Sequence, residues 1–483
     1  MKHKTFIKGA AVMTFGSLLS KLIGAAYRIP LTGFLGGYGT GLYQMAYPLF
    51  LLFLTFSSAG IPSALSKAVA GERALGRSGE SVVKTALPLF ALIGLAGTLL
   101  MCLFAPFMSA LQDDNSLVSC YLALAPSVFF VAVISVLRGY FQGKSEMSAT
   151  ALSEIVEQLF KAGAGLLSVA RFPNDPVRAA TCALGAVTLS ELFALVYLLR
   201  RYRGERRAVT LKKTTPSAIL SAVAPVMLSA ALLPLSRTAD SILVVRLMSR
   251  YTRRAVSLYG LLSGGAAALV DLPASLACGF VAAAIPAVSA AVARGDGEGG
   301  RRNAAYALLL TFALSVPCAL GLFFFAKPIV HLLYGTLAEE DAATLISLVR
   351  LTSVSAVSLA AVNTLSACLT GMGRARYAAY SMAVAVTVKF ALQWALVRNP
   401  ALGVGGAAIA SNACYLVAFF LDSWYTWKKT TGRDKRDNDH RFGNGKRRSH
   451  ASRAESVEGC GQGDSAQRGI AVRRRLEGGG NRV

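Results

Sequence analysis

Residues 19–43, LSKLIGAAYRIPLTGFLGGYGTGLY, decide the fold because residues 235–259, LSRTADSILVVRLMSRYTRRAVSLY, repeat their pattern. Each stretch begins with Leu-Ser and a cation, Lys21 in the first and Arg237 in the second, and each ends in a Leu-Tyr pair. This repetition indicates a duplicated protein. An ionisable side chain at membrane depth costs several kcal/mol unless it lines water or meets an opposite charge. If the two stretches lie in a bilayer, both cations are therefore candidate functional residues.

The composition places the chain in a membrane. Of its 483 residues, 54% are hydrophobic and only 16% are charged, and the mean hydropathy is +0.51, which is too apolar for an ordinary soluble domain. Apolar runs of roughly 20 residues, the length that crosses a bilayer, recur along the chain. We predict an all-α integral membrane protein with twelve transmembrane helices, at about residues 9–33, 41–62, 85–108, 117–139, 150–170, 179–199, 217–248, 257–289, 304–326, 343–368, 377–397 and 403–427.

Other matches extend the duplication. Gly143 precedes Lys161 by the same interval as Gly371 precedes Lys389. We therefore predict an N-terminal six-helix lobe over residues 1–206 and a C-terminal six-helix lobe over residues 207–430. Because each half crosses the membrane an even number of times, the repeats are parallel and a substrate path is expected at their interface. Residues 431–483 are polar and rich in Gly, Arg and Ser, which predicts a disordered basic cytoplasmic tail.

The distribution of lysine and arginine predicts the orientation, because cytoplasmic loops retain these residues. They fall mainly in alternate loops, which places both termini in the cytoplasm of a bacterial cell. Arg250, Arg253 and Arg254 depart from this pattern, since the alternation predicts the outer face for their loop. The net charge of +25 does not indicate a nucleic-acid partner, because the tail from Lys428 holds 15 Lys/Arg against 7 Asp/Glu and cytoplasmic loops facing anionic lipid account for much of the rest.

Lys21 and Arg28 share the first segment, and neither of the first two segments holds an acid at membrane depth. One interpretation is a solvated cationic cavity that attracts an anionic ligand. The alternative is snorkelling to the interface or an ion pair with a later helix, for example through Glu191.

The seventh segment holds Arg237 and Asp240, which are three residues apart and share a helical face. They form a plausible neutral pair. Asp240 could instead bind a coupling cation, with Asn412 as a second oxygen ligand.

Arg138 begins the motif Arg-Gly-Tyr-Phe-Gln-Gly, which is followed by Glu154, Glu157 and Lys161. Glu157 and Lys161 are spaced for an i,i+4 ion pair, with Glu154 on the same face. The group either closes one side of its half structurally or forms an inward gate whose charge pairs break when a cavity opens.

We find no catalytic residues, metal-ligand spacing or cofactor motif in the sequence. The four histidines are scattered, and there is no phosphate-binding loop, HExxH or nucleophile elbow. A pump driven by ATP is excluded for want of a nucleotide-binding domain, so transport would draw on Na+, H+ or the membrane potential.

Three motifs resemble a known family. They are Lys21 with Gly41-Leu42-Tyr43, Gly60-Ile61-Pro62 with Ser66-Lys67-Ala68-Val69-Ala70, and Arg138-Gly139-Tyr140-Phe141-Gln142-Gly143 with Glu154 and Glu157. The chain is similar, over about residues 5–427, to the stage V sporulation protein B-like polysaccharide biosynthesis proteins. Their superfamily also includes multidrug extruders and lipid II flippases.

The resemblance implies a V-shaped, two-lobed transporter that moves an undecaprenyl-pyrophosphate-type lipid-linked glycan by alternating access. We expect the protein to be a monomer. Its cationic cavity would include Lys21 and Arg28, with Lys67 and Arg237 as looser matches. Two alternatives stay open. A multidrug/cation antiporter needs deep acidic residues, which the first two segments lack, and a membrane scaffold for cell-wall enzymes is compatible with the composition.

Overall fold

A computed structural model describes residues 2–74, 78–203, 216–294 and 296–428 and most of their side chains; in this part of the chain the backbone is helical, with no β-strand. The predicted tail and the loop at residues 204–215 lie outside the described residues. The helices are α1 (Lys2–Ser58), α2 (Ile61–Ala74), α3 (Glu80–Leu111), α4 (Leu117–Gly143), α5 (Met147–Ala170), α6 (Pro176–Arg203), α7 (Pro216–Met248), α8 (Ala255–Gly260), a π-helical turn (Leu261–Ala266), α9 (Ala267–Ala293), α10 (Gly297–Phe324), α11 (Ala326–Leu333), α12 (Glu339–Gly371), α13 (Ala375–Val397) and α14 (Gly403–Trp427).

The long helix α1 reverses direction at Gly36. This residue has φ 65° and ψ −176°, a conformation that is essentially confined to glycine. The hydroxyl of Thr40 donates a hydrogen bond of 3.5 Å to the carbonyl oxygen of Thr32. In a continuous helix, residues eight positions apart would be about 12 Å apart along the axis. The contact therefore requires a reversal, and α1 supplies two antiparallel segments, as the sequence predicts for residues 9–33 and 41–62.

The helices are suited to a bilayer. Within the described residues, nine helical stretches are long and apolar enough to cross a membrane, and the first of them, Leu22–Ala74, contains the reversal at Gly36. Large apolar side chains such as Leu103, Leu167 and Leu332 are exposed on the outside of the helices, where lipid would cover them. The predicted all-helical, multi-pass membrane fold is confirmed. The count of twelve crossings and the two-repeat layout stay predictions.

The two stretches quoted at the outset meet in the interior of the protein. A Cβ atom added to Gly260 would lie 2.3 Å from the backbone nitrogen of Gly41 and 2.5 Å from the carbonyl oxygen of Gly37. Glycine at these positions lets α1 and α8 approach backbone to backbone, as small residues do between membrane helices. The largest hydrophobic core surrounds this crossing and includes buried residues of both halves, among them Leu42, Tyr121, Val244 and Leu345. We call this end of the molecule the junction end.

At the opposite end, the described hydrophobic clusters of the first half are separate from those of α9 to α14, and only the beginning of α7 packs with the first half. One cluster contains Ile61, Phe90 and Leu137 of the first half, together with Val223 from the beginning of α7. The described residues of the second half form smaller clusters of their own, for example around Val288 and Cys368, or Ala385 and Cys414. We call this the open end. The structure therefore joins the halves through a large shared core at the junction end and, in the described residues, through the beginning of α7 at the open end. We call the region between the halves, from the junction end to the open end, the cleft.

Polar contacts also connect the halves at the junction end. The side-chain amide of Gln112, after α3, donates to the hydroxyl of Ser241 on α7 at 3.1 Å. Within the second half, Arg254 forms ion pairs with Glu340 and Asp341 at the start of α12. These pairs account for one of the three arginines that depart from the predicted charge distribution, because its charge is neutralised within the protein.

We expect Gly260→Ala to destabilise the protein by about 1–3 kcal/mol, the usual cost of overpacking a close contact. Helix propensity predicts the opposite sign, since alanine is favoured over glycine in a helix by about 1 kcal/mol. Thermal unfolding of the purified protein measures the difference. Gly163→Ala is the matched control, because Gly163 lies in α5 with no atom near its added Cβ, and it should be neutral or stabilising. Equal melting temperatures for the two variants would contradict the close approach.

Candidate functional site

An ion pair bridges the two halves inside the cleft. Arg28 of α1 lies 3.7 Å, nitrogen to oxygen, from Asp271 of α9, and the two side chains are 39% and 48% exposed. Arg28 comes eight residues before the reversal at Gly36, or about 12 Å along the helix. Asp271 also lies within electrostatic reach of Arg237 of α7. Two arginines, one from each half, thus share one solvent-accessible aspartate.

A second charged cluster lies within the first half. The guanidinium of Arg138 on α4 contacts the carboxylate of Glu157 on α5 at 2.9 Å, and these side chains are only 16% and 17% exposed. Arg138 also donates to the hydroxyl of Ser153 at 2.9 Å. Glu154 and Glu191 lie within electrostatic reach of Arg138, and Glu191 is 6% exposed. The arginine is therefore the central counter-ion for a group of carboxylates that have little access to water.

Lys161 extends this cluster toward the cleft. Its ammonium lies 5.5 Å from the centre of the Tyr47 ring, a cation–π geometry. Tyr47 stacks on Tyr43, with ring centres 5.7 Å apart. Lys161 is also within electrostatic reach of Arg28 and Glu157. A continuous set of charged and aromatic groups therefore runs from Arg138 to Arg28.

The second half contains a matching ion pair. Asp240 of α7 lies 2.9 Å from the ammonium of Lys389 on α13, with side chains 19% and 18% exposed respectively. The side-chain amide of Gln393 donates to the same carboxylate oxygen. The sequence suggests Arg237 as the partner of Asp240, but the structure pairs Asp240 with Lys389 and leaves Arg237 exposed near Asp271. The reason is that helical spacing identifies only neighbours on one helix, whereas Lys389 comes from another.

The remaining candidates lie in different environments. Lys21 belongs to α1, but its side chain lies outside the described part of the structure. Lys67 is exposed on α2, and in the described residues it makes no ion pair with the charged groups of the cleft. The side-chain amide of Asn412, on α14, is hydrogen-bonded to α12. It accepts from the hydroxyl of Ser355 and donates to the carbonyl oxygen of Leu351 at 2.7 Å.

The sequence analysis missed two residues that the structure brings into the site. Asp271 is the single acid in the apolar segment 257–289, and Lys389 is the single lysine, arginine or acid in the segment 377–397. An isolated charge at membrane depth is a signal in itself. Applied to every segment rather than to the first and seventh, this criterion would have found both residues.

The geometry suits an anionic ligand. Glu157 and Asp240 are each neutralised within their own half by Arg138 and Lys389, whereas Arg28 and Arg237 both lie near the same acid, Asp271. Guanidinium groups recognise phosphate oxygens through paired, charge-assisted hydrogen bonds. In the described residues there is no cluster of three His, Cys, Asp or Glu side chains that could hold a metal ion.

Sequence comparisons identify relatives along most of the chain. The family model described as polysaccharide biosynthesis protein matches residues 6–292, and a model described as MatE matches residues 225–395. Stage V sporulation protein B of Bacillus subtilis (strain 168) is 28% identical over 85% of this chain and 81% of its own length. Lipid II flippase MurJ of the same organism is 24% identical over 88% of this chain and 83% of its own length.

Solved structures with the same fold belong to transporters. An inward-facing multidrug resistance MATE family transporter of the MOP superfamily aligns with a TM-score of 0.72, at 17% identity over 84% of this chain and 94% of its own. Lipid II flippase MurJ in an inward closed conformation aligns with a TM-score of 0.68, at 15% identity over 88% and 89% of the two chains. An outward-facing MATE structure aligns with a TM-score of 0.57, at 19% identity over 88% and 95% of the two chains.

Proposed function

The chain belongs to the polysaccharide biosynthesis protein family, and from that membership we propose that it flips an undecaprenyl-pyrophosphate-type, lipid-linked cell-wall or polysaccharide precursor across the bacterial cytoplasmic membrane. Its fold is that of MOP-superfamily transporters, and its named relatives include a flippase rather than enzymes. The cleft would bind the pyrophosphate and sugar while the polyprenyl chain remains in lipid. Both termini would face the cytoplasm.

The observation that carries this proposal is the position of Arg28 and Arg237 around Asp271. Both arginines come from apolar segments, belong to opposite halves and are at least partly exposed. A pyrophosphate carries several oxygens and more than one negative charge, so it can accept from both guanidinium groups at once. We therefore assign these arginines, with Lys21, to substrate binding, and Lys67 to the entrance on α2.

Asp271 acts in this mechanism as an internal substitute for the substrate. An exposed ion pair such as Arg28–Asp271 contributes only about 0–1 kcal/mol, because water screens it. A pyrophosphate can therefore displace Asp271 from Arg28 at little cost. Since the pair connects α1 to α9, its replacement by substrate also changes how the halves are held together. Binding would thus be linked to the rocking of the two halves.

We assign this structure to an inward-facing state of such a cycle. The higher TM-score with an inward-facing than with an outward-facing relative supports this assignment. The Arg138–Glu157 contact is intact in this state, so the inward gate proposed for Arg138, Glu154, Glu157 and Lys161 would rearrange its charge pairs as the open end closes, and not break them on opening as expected from the sequence. The close Arg138–Glu157 contact gives the gate one defined state.

Coupling to the membrane potential or to a gradient of Na+ or H+ would involve Asp240. Its carboxylate now holds the ammonium of Lys389, which occupies the position that a coupling cation would need. Asn412 could join such a site only after leaving Ser355 and the Leu351 carbonyl oxygen. We propose that release of Lys389 exposes Asp240 to the ion during the cycle.

Reconstitution in proteoliposomes tests the function. A fluorescent undecaprenyl-pyrophosphate disaccharide is placed in one leaflet, and dithionite reports how fast it reaches the other. We expect flipping at least about tenfold faster than in protein-free vesicles once a potential or cation gradient is applied. No acceleration under any gradient, combined with efflux of a cationic dye, would favour the multidrug/cation antiporter instead.

Depletion of the protein in its cells provides the complementary result. A flippase predicts that lipid-linked precursors accumulate in the inner leaflet. Altered drug susceptibility alone would favour the antiporter, and mislocalised cell-wall enzymes with normal precursor distribution would favour the scaffold.

A further inference from the structure

We propose that a groove between α7 and α13 binds one anionic phospholipid from the leaflet at the junction end, with the lipid phosphate between Arg246 and Arg250. This site is separate from the cleft between the halves. The lipid site is argued from the fold alone and does not depend on which substrate the protein transports.

The groove is formed by one face of each helix. From α7 come Ala239, Leu243, Leu247 and the two arginines at its C-terminal end, and from α13 come Phe390 and Trp394; Ile242 completes the lining, and the cavity has a volume of about 490 Å³. The α7 residues follow a three-to-four-residue spacing, which places them in a single stripe. The groove is thus apolar along its length and cationic at one end, which is the shape and polarity of a phospholipid.

The two helix ends are held at a defined spacing. The hydroxyl of Tyr251, just after α7, donates to the carbonyl oxygen of Val397, the last residue of α13, at 2.8 Å. Arg398 follows, and its guanidinium carbon lies 5.6 Å from the centre of the Trp394 ring. A third cation therefore stands at the same end of the groove, beside an exposed tryptophan of the kind that occupies the membrane–water interface.

Arg246 and Arg250 are exposed and have no ion-pair partner among the described residues, unlike Arg254, which binds two carboxylates. The acid Asp113 is held nearby by the hydroxyl of Ser249 at 3.0 Å rather than by either arginine. Arg246 lies in the last turn of α7 and Arg250 lies two residues beyond its end, and both line the groove, so their side chains can reach one phosphate. This arrangement explains why cations occur in a loop where the membrane topology disfavours them.

A bilayer lipid is the occupant that fits both the apolar lining of the groove and the cations at its end. Cations at a membrane surface each gain about 1 kcal/mol from anionic lipid, and an acyl chain would cover the apolar lining. Phe390 and Trp394 each follow directly after a residue that contacts Asp240, namely Lys389 and Gln393. A lipid in the groove would therefore fix the spacing of α7 and α13 around the Asp240–Lys389 pair.

Tryptophan quenching tests the proposal. The chain has three tryptophans, Trp394, Trp424 and Trp427, and only Trp394 lines the groove. In a Trp424→Phe/Trp427→Phe background, nanodiscs are prepared with phosphatidylglycerol or phosphatidylcholine brominated on the acyl chains. We expect brominated phosphatidylglycerol to quench Trp394 with about tenfold higher apparent affinity, the factor that corresponds to one modest charge-assisted interaction.

Arg246→Gln/Arg250→Gln should abolish this preference. Arg171→Gln/Arg253→Gln, which removes two other exposed arginines from the same end, should retain it. Equal quenching by both lipids, or a preference that survives the groove variant, would overturn the proposal. The proposal would also be overturned if phosphatidylglycerol and phosphatidylcholine quenched Trp394 equally and added farnesyl pyrophosphate reduced the quenching. The groove would then bind a polyprenyl pyrophosphate.

Discussion

Replacing both Lys21 and Arg28 by glutamine should reduce flipping of the undecaprenyl-pyrophosphate probe by about 100-fold or more, because each charged hydrogen bond to the pyrophosphate contributes about 1.5–3 kcal/mol. This is the largest functional effect that we expect from any pair of substitutions. The proteoliposome assay measures it directly. Arg28 lies at the solvent-accessible junction of the halves, so the loss should appear in turnover even where the variant folds normally.

Lys84→Gln/Arg171→Gln is the matched control, since both side chains are exposed cations outside the cleft. It should flip the probe at the rate of the unmodified protein. Normal turnover in the Lys21→Gln/Arg28→Gln variant would refute the proposed binding mechanism.

Asp271→Asn separates substrate binding from structural pairing. If Asp271 occupies the place of the substrate, its neutralisation removes a competitor and should tighten binding of a soluble pyrophosphate analogue. If the Arg28–Asp271 pair serves only to hold the halves together, the same variant should leave binding unchanged and lower the melting temperature. Isothermal titration and thermal unfolding of one preparation distinguish these outcomes.

The largest loss of stability is expected from Arg138→Leu. Its partner Glu157 is 17% exposed and Glu191 is 6% exposed, so removal of the arginine leaves two carboxylates with little water and no guanidinium. Breaking a buried pair in this way costs about 3–5 kcal/mol. We expect the melting temperature of the detergent-purified protein to fall by about 5–10 °C.

Arg138→Leu/Glu157→Leu should recover much of this loss, because it removes both charges rather than one. The double variant also tests the gate. If it is stable but inactive, the charge pair is needed for the conformational cycle, and if it is stable and active, the pair is structural. A double variant as unstable as Arg138→Leu would show that Glu157 is not the main partner of the arginine.

The sequence predicted more of the fold than of the site. The all-helical membrane fold and the family are confirmed, and the reversal of α1 agrees with the predicted break between its first two segments. These features depend on hydropathy along the chain and on motifs of neighbouring residues, which a single sequence records. The pairing of Arg138 with Glu157 could also have been predicted from the sequence, because both residues belong to one short stretch of the chain.

The pairing of charges between helices that are distant in the sequence could not have been predicted. A sequence indicates that Arg28, Asp240, Asp271 and Lys389 are costly in a bilayer, and hence that each needs water or a partner. It does not indicate the register in which α1 faces α9, or α7 faces α13. The number of residues between two partners does not indicate the distance between them once the chain has reversed direction several times.

The sequence alone thus determined an all-helical membrane transporter with charges in its interior, because burial in lipid depends on composition and length; its duplication stays a prediction. Only the tertiary structure decided that Arg28 meets Asp271 across the halves while Lys389 neutralises Asp240 within one half. The physical reason is that electrostatic energy depends on distances of a few ångströms, and helix packing sets those distances. Gly37 and Gly41 of α1 and Gly260, directly after the second stretch, let α1 and α8 cross in close contact.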